Sequence, residues 1–110
     1  MNPIKIGAAL NVSDLPTYRD WLIAEQRDLE MQDFHHTNVL LGDWQSLAQA
    51  AKKALDGFEG RLGIHGPFMF MPMDCTDPEL MPIITKRYLT GLDAAIMLGA
   101  TQMVVHSPFS

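Results

Sequence analysis

Four short stretches of extended character, each separated from the next by a segment of helical periodicity, constrain this chain more than any other feature. They run from Ile4 to Ala9, Asp28 to Asp33, about Arg61 to His65, and Thr101 to His106. Strands that alternate with helices pair in parallel through right-handed crossovers, because only a long connection can bring a chain back to a parallel neighbour. The expected fold is α/β, a βαβαβαβ run of parallel β/α units. Two of the four stretches end alike: Ile64-His65-Gly66-Pro67-Phe68, and later Val105-His106-Ser107-Pro108-Phe109.

The helical segments carry their own punctuation. Ser13 or Asp14 can cap a first helix with Pro16 in its first turn, and Leu15, Tyr18, Trp21 and Leu22 fall on one side of it. Asp43 suits the cap of a second helix whose stripe is Trp44, Leu47, Ala48, Ala51 and Leu55. Gly57 fits the left-handed residue after its end, with Phe58 folding back. The stretch between, from His35 to Gly42, reads as a loop. Asp77-Pro78 signals a third helical start, but Pro82 conflicts with one straight helix from there. Either a short turn precedes a helix beginning near Pro82, or the helix kinks. Ile84, Tyr88, Leu92, Ala95 and Ile96 keep the helical period up to Gly99.

A chain of 110 residues, 47% apolar and 19% charged, is a globular composition with room for a single domain, residues 1–110. The net charge is −5, and Lys52-Lys53 and Lys86-Arg87 are the only adjacent basic pairs. Nucleic-acid binding is therefore not expected, since it needs a basic footprint. Cys75 stands alone, which excludes an intrachain disulfide and suits a reduced, cytoplasmic thiol. No apolar stretch is long enough to span a bilayer, and the opening MNPIKIGAAL lacks the pattern of a signal peptide.

In parallel α/β folds, function gathers at the carboxyl ends of the strands. His65 and His106 end the third and fourth strands. Neighbouring strands lie about 4.8 Å apart, so two such imidazoles can converge on one ion or substrate. A histidine at a strand end can equally be a hydrogen-bonded structural residue; two in matched contexts favour a shared site. The proline two residues after each histidine stops the strand, and Phe68 and Phe109 would wall the site. Glu30 and Gln32 alternate on one face of the second strand, where a parallel barrel can carry substrate-contacting groups. Two histidines do not complete a zinc, manganese or magnesium site. The carboxylates within reach of the same rim are Glu30, Asp33 and Asp74. His35 and His36 read as solvated loop residues. Met69, Met71 and Met73 read as a flexible apolar loop over a pocket. No phosphate-binding glycine loop, Walker motif or nucleophile triad is present.

The strand IKIGAAL, the strand ending IHGPF, and the run LDAAIMLGATQMVVHSPF into a second histidine together resemble the xylose-isomerase-like barrels. That superfamily includes sugar (phosphate) isomerases and epimerases and a type of apurinic endonuclease. The resemblance covers the whole chain and is most specific from Ala95 to Pro108. It implies the N-terminal half of an eight-stranded TIM barrel. In the endonuclease branch the positions of His65 and His106 are metal ligands. In many isomerases they line the pocket, while the metal and the paired catalytic glutamates sit on later strands. The implied function is a divalent-metal-assisted proton transfer next to a carbonyl, on a sugar or sugar phosphate. An apurinic endonuclease is the alternative.

Four strands and three helices would leave two open strand edges and an uncovered inner apolar face. The expectation is a larger parent barrel or two associating half-barrels. A non-catalytic half-barrel that binds a partner through its open edges is the third functional reading.

Overall fold

The computed structural model of the chain describes residues 6–107. Within them four strands, β1 (Ala8–Leu10), β2 (Leu29–Met31), β3 (Leu62–His65) and β4 (Gln102–Val104), form one sheet in the order β1-β2-β3-β4. Every pair is parallel, with Ala9 opposite Glu30, Glu30 opposite Gly63, and Gly63 opposite Gln102. The parallel β/α order expected from the alternation is observed. The strands are shorter than expected, and Ile4 and Lys5 lie outside the described residues.

The helices are α1 (Leu15–Glu25), α2 (Thr37–Leu41), α3 (Trp44–Ala54) and α4 (Met81–Leu98), with 3-10 turns at Val12–Asp14 and Asp33–His35. Asp43 caps α3 by accepting the backbone N–H of Ser46 at 3.0 Å and its hydroxyl at 2.6 Å. Gly57 and Gly99 take the left-handed conformation after α3 and α4, with φ of 89° and 85°. Pro82 is the second residue of α4, where its missing N–H costs nothing, and a turn held by Asp77 precedes it. The first of the two readings of Pro82 is therefore the observed one.

One face of the sheet is packed and the other is open. Leu29, Met31 and Ile64 point toward the helices and are buried with Leu15, Leu22, Phe34, Ala48, Ala51 and Ala94. Alternate residues point the other way. These are Ala9, Glu30, Gly63, His65, Gln102 and Val104, with Gln32 and His106 two positions beyond. This corrects the expectation of an apolar inner face: among the described residues it is polar or small except for the exposed Val104. Gln102 lies across Gly63, where a Cβ would sit 2.6 Å from its Cγ.

Two further differences concern helices. The segment expected as a loop after β2 contains a 3-10 turn and the short α2, which buries Leu40. In α4 the buried residues are Gly91, Ala94, Ala95 and Leu98, while Leu92 and Ile96 are exposed. Small residues let α4 sit close to the sheet, so its packed face is rotated from the one its large apolar residues suggest. None of the helices described is long and apolar enough to cross a membrane.

Candidate functional site

The two matched strand ends meet. His65 closes β3, and its register partner is Val104, so His106 stands just beyond the end of β4 on the same open face. The Nε2 atoms of His65 and His106 are 3.2 Å apart, with the ring planes 66° apart. Two nitrogens bound to one tetrahedral zinc, each at about 2.0–2.1 Å, lie about 3.3–3.4 Å from one another. The pair therefore has the spacing of two ligands to one ion.

The tautomer at His65 suits that spacing. Its Nδ1 lies 2.7 Å from the carbonyl oxygen of Gly66. A carbonyl only accepts, so Nδ1 carries the proton and, in the neutral ring, Nε2 keeps a lone pair toward His106. Without a cation, His106 can donate its Nε2–H to that lone pair. With its proton on Nδ1 instead, both lone pairs face one point.

Phe68 sits among the imidazoles. Its ring stacks on His106 at 4.1 Å between centroids, and lies 4.9 Å from His65 and 5.2 Å from His35. The Gly66-Pro67 junction puts it there. The Gly66 N–H donates to the Val104 carbonyl at 2.8 Å, and Pro67 is buried beside Gly91. Phe109 lies outside the described residues.

His35 belongs to the cluster, which corrects its reading as a solvated loop residue. The 3-10 turn Asp33–His35 swings it over the strand ends, half-buried, with its ring 5.3 Å from that of His65. Its Nδ1 donates to the Gln32 carbonyl at 2.5 Å, which leaves Nε2 bare. Burial lowers its pKa, outweighing the opposing effect of that hydrogen bond, with the His36 and His65 charges adding to the lowering. His36 is exposed, its ring tilted 36° to that of His35 with 3.8 Å between centroids. Only a helical turn after β2 could have revealed His35, and a three-residue turn leaves no periodicity to read.

The carboxylates are arranged otherwise. Asp33 accepts the Val12 N–H at 2.8 Å and ties the turn to the start of α1. Glu30 accepts a hydrogen bond from the Gln32 side chain. Glu30 and Gln102 line a hollow below the rim, apart from the cleft that His106 lines. Among the described residues no three His, Cys, Asp or Glu side chains form a group able to hold a metal. The donor chemistry and spacing of His65 and His106 thus fit two ligands, and the described residues do not supply a third.

The cleft beside His106 is about 290 Å³, walled by Phe68, Phe70, Met71, Pro72, Met73 and Tyr88. The methionine-rich loop forms its roof. The Tyr88 hydroxyl donates to the Met71 carbonyl at 2.8 Å and anchors that loop to α4; burial raises the pKa of this phenol. Phe70 is 93% exposed in a left-handed conformation, φ 59°.

No protein-family model matches the chain, and no curated protein does. A solved structure of the TTHB071 protein from Thermus thermophilus, described as soaked with ZnCl2, matches with a TM-score of 0.70 and 28% identity. The match covers 96% of this chain and 40% of that one. The chain thus spans less than half the length of the solved protein it resembles.

Proposed function

We propose that the chain is the N-terminal half of an eight-stranded β/α barrel, and that His65 and His106 are two ligands of a divalent metal centre at its rim. The 3.2 Å approach of the two Nε2 atoms, at the ends of neighbouring parallel strands, carries this reading. The four-strand parallel sheet with helices on one face, the other left open, and the histidines at the carboxyl ends of its strands support the half-barrel reading. The zinc soak of the TTHB071 crystal makes zinc the first ion to test, with manganese and magnesium next.

The reaction is metal-assisted proton transfer next to the carbonyl of a sugar or sugar phosphate, as in isomerases and epimerases. A bound divalent cation supplies Lewis-acid polarisation of that oxygen. His65, held by Gly66, keeps its lone pair on the rim side. Glu30 and Gln32 line the inner face and offer hydrogen bonds to hydroxyls, and Phe68 covers the apolar side of the cleft. The remaining ligands and the proton-moving carboxylates belong to the strands that complete the barrel. Titration of the chain with ZnCl2 and MnCl2 tests the centre, and deuterium uptake from D2O into a panel of aldoses, ketoses and their phosphates, measured on the barrel completed by those strands, tests the reaction. Zinc binding lost in His65→Ala and His106→Ala supports the centre. Equal binding in both variants and wild type removes it.

An apurinic-endonuclease-like reading shares the same two ligands. The net charge of −5 stands against it, because phosphate contacts need cationic side chains. A salt-dependent affinity for abasic duplex DNA would favour it over the sugar reading.

A further inference from the structure

We infer that Phe68 is a positioning residue for the histidine pair: its stacked ring holds the His106 imidazole in the orientation that aims Nε2 at His65. The inference rests on the metal reading for its consequence, but its geometry stands in the metal-free protein. His106 is exposed just beyond the last turn of sheet hydrogen bonding. The torsion that rotates an imidazole about its Cβ–Cγ bond is broad, so an unbraced ring would present Nδ1, Nε2 or its carbon edge in turn. The Phe68 ring lies nearly parallel to it, 26° between planes at 4.1 Å, and removes much of that freedom.

The brace is itself anchored. Gly66 is bonded to β4 through the Val104 carbonyl at 2.8 Å. The next residue, Pro67, is packed so closely on α4 that a Cβ added at Gly91 would come 3.2 Å from both Pro67 Cδ and Met103 Sδ. Phe68 therefore leaves the sheet from a backbone pinned to both β4 and α4. Its ring touches His65 and His35 as well as His106, so one side chain sets three imidazoles relative to one another. This gives the phenylalanine of the repeated His-x-Pro-Phe pattern a task besides walling a pocket.

The test compares wild type, Phe68→Leu and Phe68→Tyr in two measurements. In the metal-free protein, proton NMR reads the ring-current shift of the His106 imidazole and the cross-relaxation between the His65 and His106 rings. Competition titration with ZnCl2 alone reads affinity. Phe68→Leu should abolish the ring-current shift, weaken the cross-relaxation, and lower zinc affinity about three- to tenfold, the worth of one aromatic pair. Phe68→Tyr should restore all three. Far-UV circular dichroism checks that each variant folds, and Phe68→Met replaces Phe68→Leu if the latter does not. Unchanged cross-relaxation in the aliphatic variant, or its loss in Phe68→Tyr, overturns the inference. Wild type that binds no zinc refutes the metal reading alone, and the NMR comparison still decides the part played by Phe68.

Discussion

His65 donates its Nδ1–H to the carbonyl of the very next residue, Gly66, and this 2.7 Å bond decides what its other nitrogen can do. The Nε2 atom is left with a lone pair 3.2 Å from His106 Nε2. A histidine fixed in this way is ordered before a cation arrives, which is the usual work of an outer hydrogen-bond partner at a metal site.

Removing either imidazole should therefore cost more than removing an outer partner. His65→Ala and His106→Ala should each lower zinc affinity by more than about 100-fold, the upper end for loss of an outer partner. Both variants should lose no more than about 1.5 kcal/mol of thermal stability, because neither side chain is in the buried core and each gives up its contact with the Phe68 ring. Competition titration and thermal denaturation check the two halves of this expectation.

Much of the fold was legible because its punctuation is local. Asp43, Gly57, Gly99 and Pro82 each announce a helix end through their own chemistry: Asp43 caps as expected, both glycines are left-handed, though Gly57 lies two residues past the C-cap Leu55, and Pro82 takes the first of its two readings. The His65 and His106 pairing was legible because repeated strand ends in a parallel sheet share a rim. Three features were not. The α2 helix has His36 at its cap position with no side-chain cap bond, and five residues show no period. The packed face of α4 is built from Gly91, Ala94 and Ala95, which carry little weight in a hydrophobic pattern. The open face was legible only on β2, where Glu30 and Gln32 alternate with the buried Leu29 and Met31; its neighbours across the sheet, Ala9, Gly63 and Gln102, sit on strands too short to show a period.

Stability should fall on mild acidification, and His35 should be one cause. Its folded-state pKa lies below its unfolded value of 6.5 because burial opposes the charged ring. The unfolded chain then binds the proton more readily, so His35 leaves stability undiminished above pH 6.5 and takes it away as pH falls from there through the folded-state pKa. His35→Gln should flatten the curve of denaturation midpoint against pH in that window. A variant curve parallel to that of wild type would show that His35 carries none of the effect.

Gly60 is a place where one methyl group should be costly. A Cβ there would sit 2.6 Å from the backbone oxygen of Arg27 and 2.6 Å from the ring of Phe58. The first of these cannot move without shifting the lead into β2. Gly60→Ala should lose about 1–3 kcal/mol in urea denaturation. Its zinc affinity should stay within twofold of wild type, since the strain lies at the opposite end of the strands from the histidines.

The loop over the cleft should loosen when its one described tether to α4 is cut. Tyr88→Phe removes the hydroxyl that donates to the Met71 carbonyl and nothing else. About 0.5–1.5 kcal/mol is expected for a hydrogen bond of this kind. Amide exchange should quicken around residues 70–73 by up to about tenfold, while the amides of β3 remain protected. Uniform exchange across both segments would mean that the loop opens only with the whole molecule.

The flank of α4 should govern self-association. Leu89, Leu92 and Ile96 lie three and four residues apart on α4, 55%, 43% and 75% exposed. The helix of a further β/α unit would pack there in a barrel, and β4 beside it pairs on one side only among the described residues. An apolar flank next to an open strand edge favours contact with another chain. Sedimentation at tens of micromolar should show species heavier than the 12.3 kDa monomer. Placing a charge in the stripe should oppose burial worth about 1.5–3 kcal/mol per large side chain. Leu89→Lys combined with Ile96→Lys should therefore weaken association at least about tenfold. Neither Leu89 nor Ile96 lines the cleft beside His106, so the double variant should keep its zinc affinity. Wild type that sediments as a monomer throughout would show that the flank and edge do not drive association.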